Sequence, residues 1–443
     1  MATSTPVQSN PEHALVRAIG PWALGANAVN LTVGAGIFAL PALVAALLGP
    51  AAVIAYLICA VLILLVITCF AEVGSQVTRS GGVVAYVEEA FGPLAGFVTW
   101  VMFALAFSAA SDAAIAHVLM DALATAVPAL SGGVPRVLAL VVLFGGLAAV
   151  NIRGVRQGVR VAVATTVAKL VPLLLLVAVG VFAVRWDNLV WAGWPSMSQL
   201  GAATLLLFFA FGGIESALTP SGEIRDPART VPRGILGAAA AVVLLYMALQ
   251  FVAQGVMGSE LAQASATPLA DLGQRLAGMW GRNVVAACTV IAGFGAIAAD
   301  MIGTPRAFLA MAESGQLPRP LSRIHPRFHT PWIAIITFAT FTLLLTLSGG
   351  FKVMAVLASM ALLLIYLAVC LSALQFRYRR PAVPGSFRAP GGPTVALLAS
   401  AAVLWVLAQS TRRETLGMAA LIAASTIYYL IRRRVALRSA AHD

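Results

Sequence analysis

Two glycines interrupt the first apolar stretch of this chain. The segment LTVGAGIFAL, residues 31–40, places Gly34, Ala35 and Gly36 inside a run that would otherwise form one continuous membrane helix. Backbone N–H and C=O groups without partners are costly at membrane depth, so irregular backbone persists there only where protein buries it or where it lines a cavity. We therefore expect the helix to break at these glycines and the break to form part of a ligand site.

The same glycines also satisfy the dinucleotide-binding pattern GxGxxA. That pattern requires a strand before the glycines, an amphipathic helix after them and an acidic residue about 20 residues later. Here both flanks are apolar and the next acidic residue is Glu72. The sequence therefore argues against a nucleotide site.

The composition of the whole chain predicts an all-α polytopic membrane protein. Of the 443 residues, 60% are hydrophobic and only 10% are charged, and the mean hydropathy is +0.94. The first nineteen residues are largely polar and carry no cleavable signal pattern, so the first span is expected to direct insertion. Apolar windows of about 20 residues, the length that crosses a bilayer, predict twelve transmembrane helices, here called spans 1 to 12. Their centres lie near Ala35, Val61, Phe107, Val142, Leu174, Phe209, Leu244, Gly295, Phe338, Leu363, Val403 and Leu421.

The basic residues indicate how the chain lies in the membrane. With the N-terminus placed in the cytoplasm, twenty of the 28 lysines and arginines fall in inner segments, seven fall in outer loops, and Lys169 lies inside a span. This asymmetry obeys the positive-inside rule. It predicts a multi-pass membrane protein with both termini cytoplasmic, and it explains the net charge of +12 without nucleic acid as a partner.

The cysteines and histidines give no sign of a metal site or of catalysis. Cys59, Cys69, Cys288 and Cys370 lie within or beside apolar spans, without a CxxC pair or a histidine at ligand spacing. The sequence also lacks an arrangement of nucleophile, base and oxyanion donors. We therefore predict no metal, no cofactor, no catalytic residues and no enzymatic activity.

A second glycine pair lies in the sixth span. The run LLLFFAFGGIESALTP contains Gly212 and Gly213, followed by Glu215. Helix-packing glycines are the alternative interpretation, but interrupted segments at matching positions of two halves are typical of transporter sites. Because five spans separate the two pairs, spans 6 to 10 would repeat spans 1 to 5 upside down. The predicted organisation is an N-terminal tail at 1–17, repeats at 18–185 and 196–376, spans 11 and 12 at 393–431, and a C-terminal tail at 432–443.

Four motifs resemble those of the amino acid, polyamine and organocation transporter superfamily. They are GAGIFALP in span 1, AEVGSQVTRSGGVVAYVEEAFGP at 71–93, GEIRDPARTVPRGI at 222–235 and TPRAFLAMAESGQLP at 304–318. They occur in the expected order over almost the whole chain. The resemblance implies the LeuT fold, with a five-plus-five inverted repeat and broken spans 1 and 6, and the transport of amino acids or amines.

The helix breaks suggest how a zwitterion would be held. The N-terminal end of a half-helix carries a partial positive charge and free N–H groups, so the amides of Ala35 and Gly36 should bind a carboxylate. The resemblance implies that the carbonyls of Thr32, Phe209 and Gly212 receive the substrate's α-ammonium group. Gly212 stands where many relatives have a larger residue, which predicts extra room for a substrate side chain.

Further side chains are assigned by the same resemblance. Phe209 matches a gating aromatic and Phe294 an aromatic near the substrate side chain, although plain packing is the alternative for each. Ser111, rather than Asp112, matches the substrate-facing position of span 3. Asp300 falls about a turn and a half beyond Phe294. Both acids are therefore expected to be structural. Transport of a cationic amino acid or a polyamine is an alternative if Asp112 lines the site.

Lys169 and Glu215 are the candidates for proton coupling. A lysine inside a span with no opposite charge within a turn is functional by default, and the resemblance implies that its ammonium replaces a sodium ion and bonds carbonyls near Gly34. Burial disfavours the charged form, so Lys169 could carry the coupled proton. Snorkelling toward the surface near Arg160 is the alternative. Glu215 would act either as a proton-sensing carboxylate or as a hydrogen-bonding brace for the second break.

Together, the sequence favours a secondary active transporter for proton-coupled symport of a neutral amino acid across the lipid bilayer by alternating access. Exchange of one amino acid for another is the main alternative. A receptor that binds without transporting is less favoured, since the longest polar segments have only about twenty residues. A channel is less favoured still. A homo-oligomer is compatible with the sequence.

Overall fold

The computed structural model describes residues 17–34, 36–154, 159–191, 193–264, 267–379 and 385–439. Within these ranges the protein is helical and has no strand, apart from an isolated bridge between Ile19 and Ile224. The α-helices are α1 (Pro21–Thr32), α2 (Gly36–Leu48), α3 (Ala52–Gln76), α4 (Gly82–Phe91), α5 (Pro93–Val101), α6 (Ala109–Ala124), α7 (Gly133–Arg153), α8 (Val159–Gly180), α9 (Met197–Phe211), α10 (Pro227–Met257), α11 (Pro268–Glu313), α12 (Trp332–Ser348), α13 (Phe351–Arg379), α14 (Pro393–Leu407) and α15 (Arg412–Ser439).

The helices agree with the predicted class of membrane protein. Among the described residues, nine helical segments are long and apolar enough to cross a membrane, and α12 and α14 are shorter apolar helices. One of the nine, Gly36–Gln76, contains both α2 and α3 with a short 3-10 turn between them. Eleven of the predicted span centres fall in helices, whereas Ala35 lies outside the described residues. The protein is therefore an all-α multi-pass membrane protein, and the count of twelve spans stays a prediction.

Both glycine pairs coincide with interruptions of a helix. α1 ends at Thr32 and the chain resumes as α2 at Gly36. α9 ends at Phe211 and is followed by a five-residue 3-10 helix, Ile214–Leu218, rather than by a second α-helix. Pro220 lies just beyond this turn and has no N–H with which to continue it.

The core is formed by helices that surround the two interruptions. α10 packs against α3 and α1, while α11 packs against α6 and α8. A Cβ at Gly25 of α1 would lie 3.1 Å from the carbonyl oxygen of Gly234 in α10, so the backbones of these helices approach closely. Large apolar side chains on the outer helices α7, α8 and α15 stay exposed, among them Val142, Leu174 and Ile427, as expected of surfaces that face lipid.

A buried ion pair joins the ends of α3 and α13. The guanidinium of Arg377 donates from Nε to Oε1 and from Nη2 to Oε2 of Glu72, both at 2.5 Å. Glu72 Oε2 also accepts the N–H of Ala389 at 3.1 Å, and Ser75 Oγ accepts the N–H of Phe387 at 3.1 Å. These bonds hold the segment before α14 against the end of α3.

Candidate functional site

A cavity of about 450 Å³ lies where the two interrupted helices meet. Its volume is within the range of small-molecule sites. Its walls come from α1 and the first break, from α6 and the π-helical turn before it, from α8, from the second break and from α11. They consist of Asn30, Leu31, Gly34, Phe107, Ser111, Asp112, Ile115, Lys169, Gly212, Gly213, Ser216, Val290, Ile291, Ala292, Phe294, Gly295, Ala296, Ala298, Ala299 and Asp300.

The first break leaves helical carbonyls in need of partners. In a continuous helix the N–H of Gly34 would bond the carbonyl of Asn30. Here it turns back to the carbonyl of Thr32 at 2.8 Å. Gly34 lines the cavity and Gly36 begins the next helix. Ala35, a predicted carboxylate ligand, lies outside the described residues.

Tyr246 of α10 contacts both interrupted helices. Its hydroxyl lies 3.1 Å from the carbonyl oxygen of Thr32 and 3.0 Å from that of Ala210 in the last turn of α9. With the bond from Gly34, the Thr32 carbonyl already accepts two hydrogen bonds, and Thr32 is buried outside the cavity lining. Its predicted role as acceptor for a substrate ammonium therefore requires one of these bonds to open.

Two features of the second break require glycine at position 213, namely its backbone conformation and its close contact with α1. Gly213 has φ +119°, a conformation that other residues rarely adopt. A Cβ on Gly213 would also lie 2.5 Å from the carbonyl oxygen of Leu31, so the two breaks are in direct contact. At Gly212, the ring of Phe107 lies 2.8 Å from the position that a Cβ would take. The extra room expected from Gly212 is thus occupied by Phe107.

Glu215 braces the second break. Its Oε1 accepts the N–H of Gly213 at 2.9 Å, and its Oε2 accepts the hydroxyl of Tyr366 in α13 at 2.9 Å. Since the N–H of Gly213 would bond the Phe209 carbonyl in a continuous helix, its diversion to Glu215 removes that partner from Phe209. The carboxylate is buried outside the cavity lining and has the contacts of the hydrogen-bonding brace.

Lys169 extends from α8 to the end of α1. Its side chain is only 8% exposed, lines the cavity and donates a hydrogen bond from Nζ to the carbonyl oxygen of Asn30. This is the carbonyl that lost its helical partner when Gly34 turned back. A cation at this place also complements the negative end of the α1 dipole. The ammonium therefore bonds α1 four residues before Gly34, instead of snorkelling to the surface.

Of the remaining predicted site residues, two line the cavity and one does not. Ser111 and Phe294 both line the cavity, and the ring of Phe294 is 48% exposed. Phe209 does not line it. The Phe209 ring packs edge-on against Phe351 at 5.7 Å between centroids and fills the space where a Cβ on Gly36 would lie.

Two acidic residues that the sequence assigned no part in substrate binding lie in the cavity wall. Asp112 and Asp300 were expected to be structural, yet both line the cavity beside Ser111. Asp112 is 2% exposed, and its Oδ2 atom has no hydrogen-bond partner among the described residues. The π-helical turn Met102–Ser108 before α6 changes the rotation of that helix, which a regular helical period does not predict.

Four residues of the site were not predicted from the sequence. Asn30 supplies the acceptor for Lys169, Phe107 fills the space beside Gly212, and Tyr246 and Tyr366 donate to the two breaks. Both tyrosines could have been recognised in the sequence because each places a hydroxyl in the middle of an apolar span. Within the described part of the chain, no cluster of three metal-ligating side chains occurs.

An apolar helical bundle with two interrupted helices around a charged internal cavity defines a membrane protein that handles a small polar solute. The chain matches the amino acid permease family over residues 19–429 and belongs to that family.

Three relatives from Bacillus subtilis (strain 168) are similar along nearly their whole lengths. The serine/threonine exchanger SteT is 26% identical over 92% of this chain and 95% of its own. The methylthioribose transporter is 25% identical over 95% of this chain and 94% of its own. The branched-chain amino acid permease BcaP is 26% identical over 88% of this chain and 87% of its own. These relatives are transporters. The protein is therefore a membrane transporter of the amino acid permease family, and not an enzyme.

Proposed function

We propose that this protein is a secondary active transporter that carries an amino acid through the central cavity by proton-coupled alternating access. In this proposal the chain has twelve spans and the five-plus-five inverted repeat, with repeats at 18–185 and 196–376. It lies in the bacterial inner membrane with both termini in the cytoplasm.

The contact between the two breaks is the observation that carries the proposal. Gly213 touches the backbone of Leu31 and Thr32, so a substrate at this place is bound by two helices at once. The amide end of α2 at Gly36 offers N–H groups to a carboxylate. At the other break the Phe209 carbonyl has lost its helical donor to Glu215, and because Phe209 does not line the cavity, an α-ammonium group reaches this carbonyl only when the break opens toward the cavity.

Binding of a substrate between the two breaks links occupancy of the cavity to the relative position of the interrupted helices. A ligand shifts a conformational equilibrium only by its difference in affinity between the two states. A zwitterion that bridges α2 and the end of α9 binds well only where the two breaks lie close together. The occluded state is thereby stabilised by the substrate, as alternating access requires.

Lys169 is the proposed site of proton coupling. Its ammonium is the donor to the Asn30 carbonyl, so loss of its proton removes a cation from the negative end of α1. α1 would then be free to shift against α8. Because Lys169 lines the cavity, a proton can reach it along the path that the substrate uses.

Exchange of amino acids is the second candidate function. It is favoured by the similarity to the serine/threonine exchanger over most of both chains. The two mechanisms differ in whether the empty carrier can reorient.

Uptake into proteoliposomes separates these mechanisms. Radiolabelled amino acids are offered with and without an inward proton gradient, and with and without amino acid inside. We expect accumulation in empty vesicles that depends on the gradient. Uptake into preloaded vesicles alone would establish exchange instead, and the absence of uptake under every condition would contradict amino acid transport.

A further inference from the structure

The charged groups of the cavity are distributed unevenly along α11. The Sγ of Cys288 donates to the backbone carbonyl of Lys169 at 3.6 Å, so Lys169 lies beside the early part of α11. Asp300 lies twelve residues further along the same helix, or about 18 Å of helical rise. The cavity therefore has a basic side near α1 and α8 and an acidic side near α6 and the later part of α11.

The acidic side holds three carboxyl groups that form no ion pair among the described residues. Asp112 and Asp300 both line the cavity, and Glu215 is buried in the second break. Within the described residues, no lysine, arginine or histidine forms an ion pair with any of these three carboxylates. Lys169 donates to Asn30 instead.

Asp112 has a buried carboxyl oxygen that no described residue satisfies. Its side chain is almost fully buried and lines the cavity, yet its Oδ2 has no hydrogen-bond partner among the described residues. Asp300 differs because it is partly exposed where it lines the cavity. A buried carboxylate oxygen without a donor is costly, and a cation that brings N–H donors removes that cost.

We infer that Asp112 and Asp300 form a subsite for the positively charged side chain of the substrate, so that the protein carries a cationic amino acid. This inference rests on the proposed function and names its substrate class. It replaces the neutral substrate favoured by the sequence with the cationic alternative tied to Asp112.

The basic side of the cavity favours an amino acid over a diamine. A diamine has a cation at each end, and one of them would lie near the ammonium of Lys169 and the N–H groups that begin α2. A cationic amino acid instead places its carboxylate there and its distal ammonium or guanidinium between the two aspartates. The charge pattern of the cavity therefore matches a substrate with a carboxylate at one end and a cation at the other.

Lysine and norleucine provide a matched pair of probes, since norleucine has nearly the shape of lysine without the distal ammonium. We expect the native protein in proteoliposomes to take up lysine at least about tenfold faster than norleucine at equal, subsaturating concentrations. Cadaverine, which is lysine without its carboxylate, should compete weakly. Equal or faster uptake of norleucine would overturn the inference, and cadaverine competing as well as lysine would assign the site to diamines.

Variants test the two aspartates directly. Asp112→Asn and Asp300→Asn should each lower the ratio of lysine to norleucine uptake by about tenfold. Asp187→Asn, in an exposed segment outside the cavity, should leave the ratio unchanged. An unchanged ratio in both cavity variants would overturn the assignment. Uptake of neutral amino acids without a preference for lysine would refute the inference alone, whereas no uptake of any amino acid would refute the proposed function.

Discussion

The hydroxyl of Tyr246 lies 3.1 Å from the carbonyl oxygen of Thr32, at the last residue before the first helix break. The same hydroxyl lies 3.0 Å from the carbonyl of Ala210, just before the second break. One side chain of α10 thus supplies a donor to helix ends that are almost 180 residues apart in the chain. The breaks are held by side chains that replace the lost helical hydrogen bonds.

Replacing Tyr246 with phenylalanine should weaken this arrangement. Tyr246→Phe leaves the ring in place but removes a buried donor from two carbonyls, which should lower the free energy of unfolding by about 1–2 kcal/mol. We also expect slower uptake, because the ends of α1 and α9 lose a shared contact. Thermal unfolding in detergent and initial uptake rates measure the two effects.

Tyr56→Phe is the matched control. Tyr56 is as fully buried as Tyr246, but its hydroxyl has no hydrogen-bond partner among the described residues. Its removal should be neutral or slightly stabilising. Equal losses in the two variants would show that Tyr246 contributes through packing rather than through its hydrogen bonds.

The brace at the second break can be measured with a double-mutant cycle. The hydroxyl of Tyr366 donates to Oε2 of Glu215, and Oε1 of the same carboxylate accepts the N–H of Gly213. Tyr366→Phe, Glu215→Ala and the double variant should give a coupling energy of about 1.5–3 kcal/mol in unfolding, as expected for a hydrogen bond to a charged group. Additive effects would mean that the two side chains stabilise the break independently.

Gly213 should not tolerate even a methyl group. In Gly213→Ala the added Cβ would combine a positive φ with a 2.5 Å approach to the Leu31 carbonyl, so we expect the two breaks to separate and uptake to be lost. Gly237→Ala is the control, because Gly237 lies in the regular helix α10 with open space around its Cβ position. That variant should be neutral or gain up to about 1 kcal/mol. Normal uptake by Gly213→Ala would contradict the close packing of the breaks.

The sequence was sufficient to predict where the helices break. Glycine pairs inside apolar runs mark those positions because glycine permits close packing, and at Gly213 it also permits a positive φ. The partners of the freed carbonyls were less predictable. Lys169 meets Asn30 from 139 residues away, a contact that depends on how α8 packs beside α1.

The facing of α6 was predicted only in part from the sequence. Neighbouring residues on a helix point about 100° apart. A change in the rotation of α6 about its axis therefore decides whether Ser111 or Asp112 faces the cavity. The π-helical turn Met102–Ser108 makes such a change just before α6. In the structure both residues line the cavity.

The ion pair between Glu72 and Arg377 should contribute strongly to stability. Glu72→Gln leaves the guanidinium of Arg377, whose side chain is only 15% exposed, without its charged partner, and breaking a buried pair typically costs about 3–5 kcal/mol. Glu260→Gln removes the acid of the exposed pair with Arg275 and should cost less than about 1 kcal/mol. Chemical unfolding of both variants tests this difference. Similar small losses would show that the Glu72 pair is not energetically important.

The most direct test of the proposed mechanism is gradient-driven uptake by Lys169→Ala in proteoliposomes. The variant lacks the ammonium that donates to Asn30 at the end of α1. We expect it to elute from gel filtration as the native protein does and to lose the stimulation of uptake by an inward proton gradient. Uptake that is still driven by the gradient to the native extent would contradict the role of Lys169 in coupling.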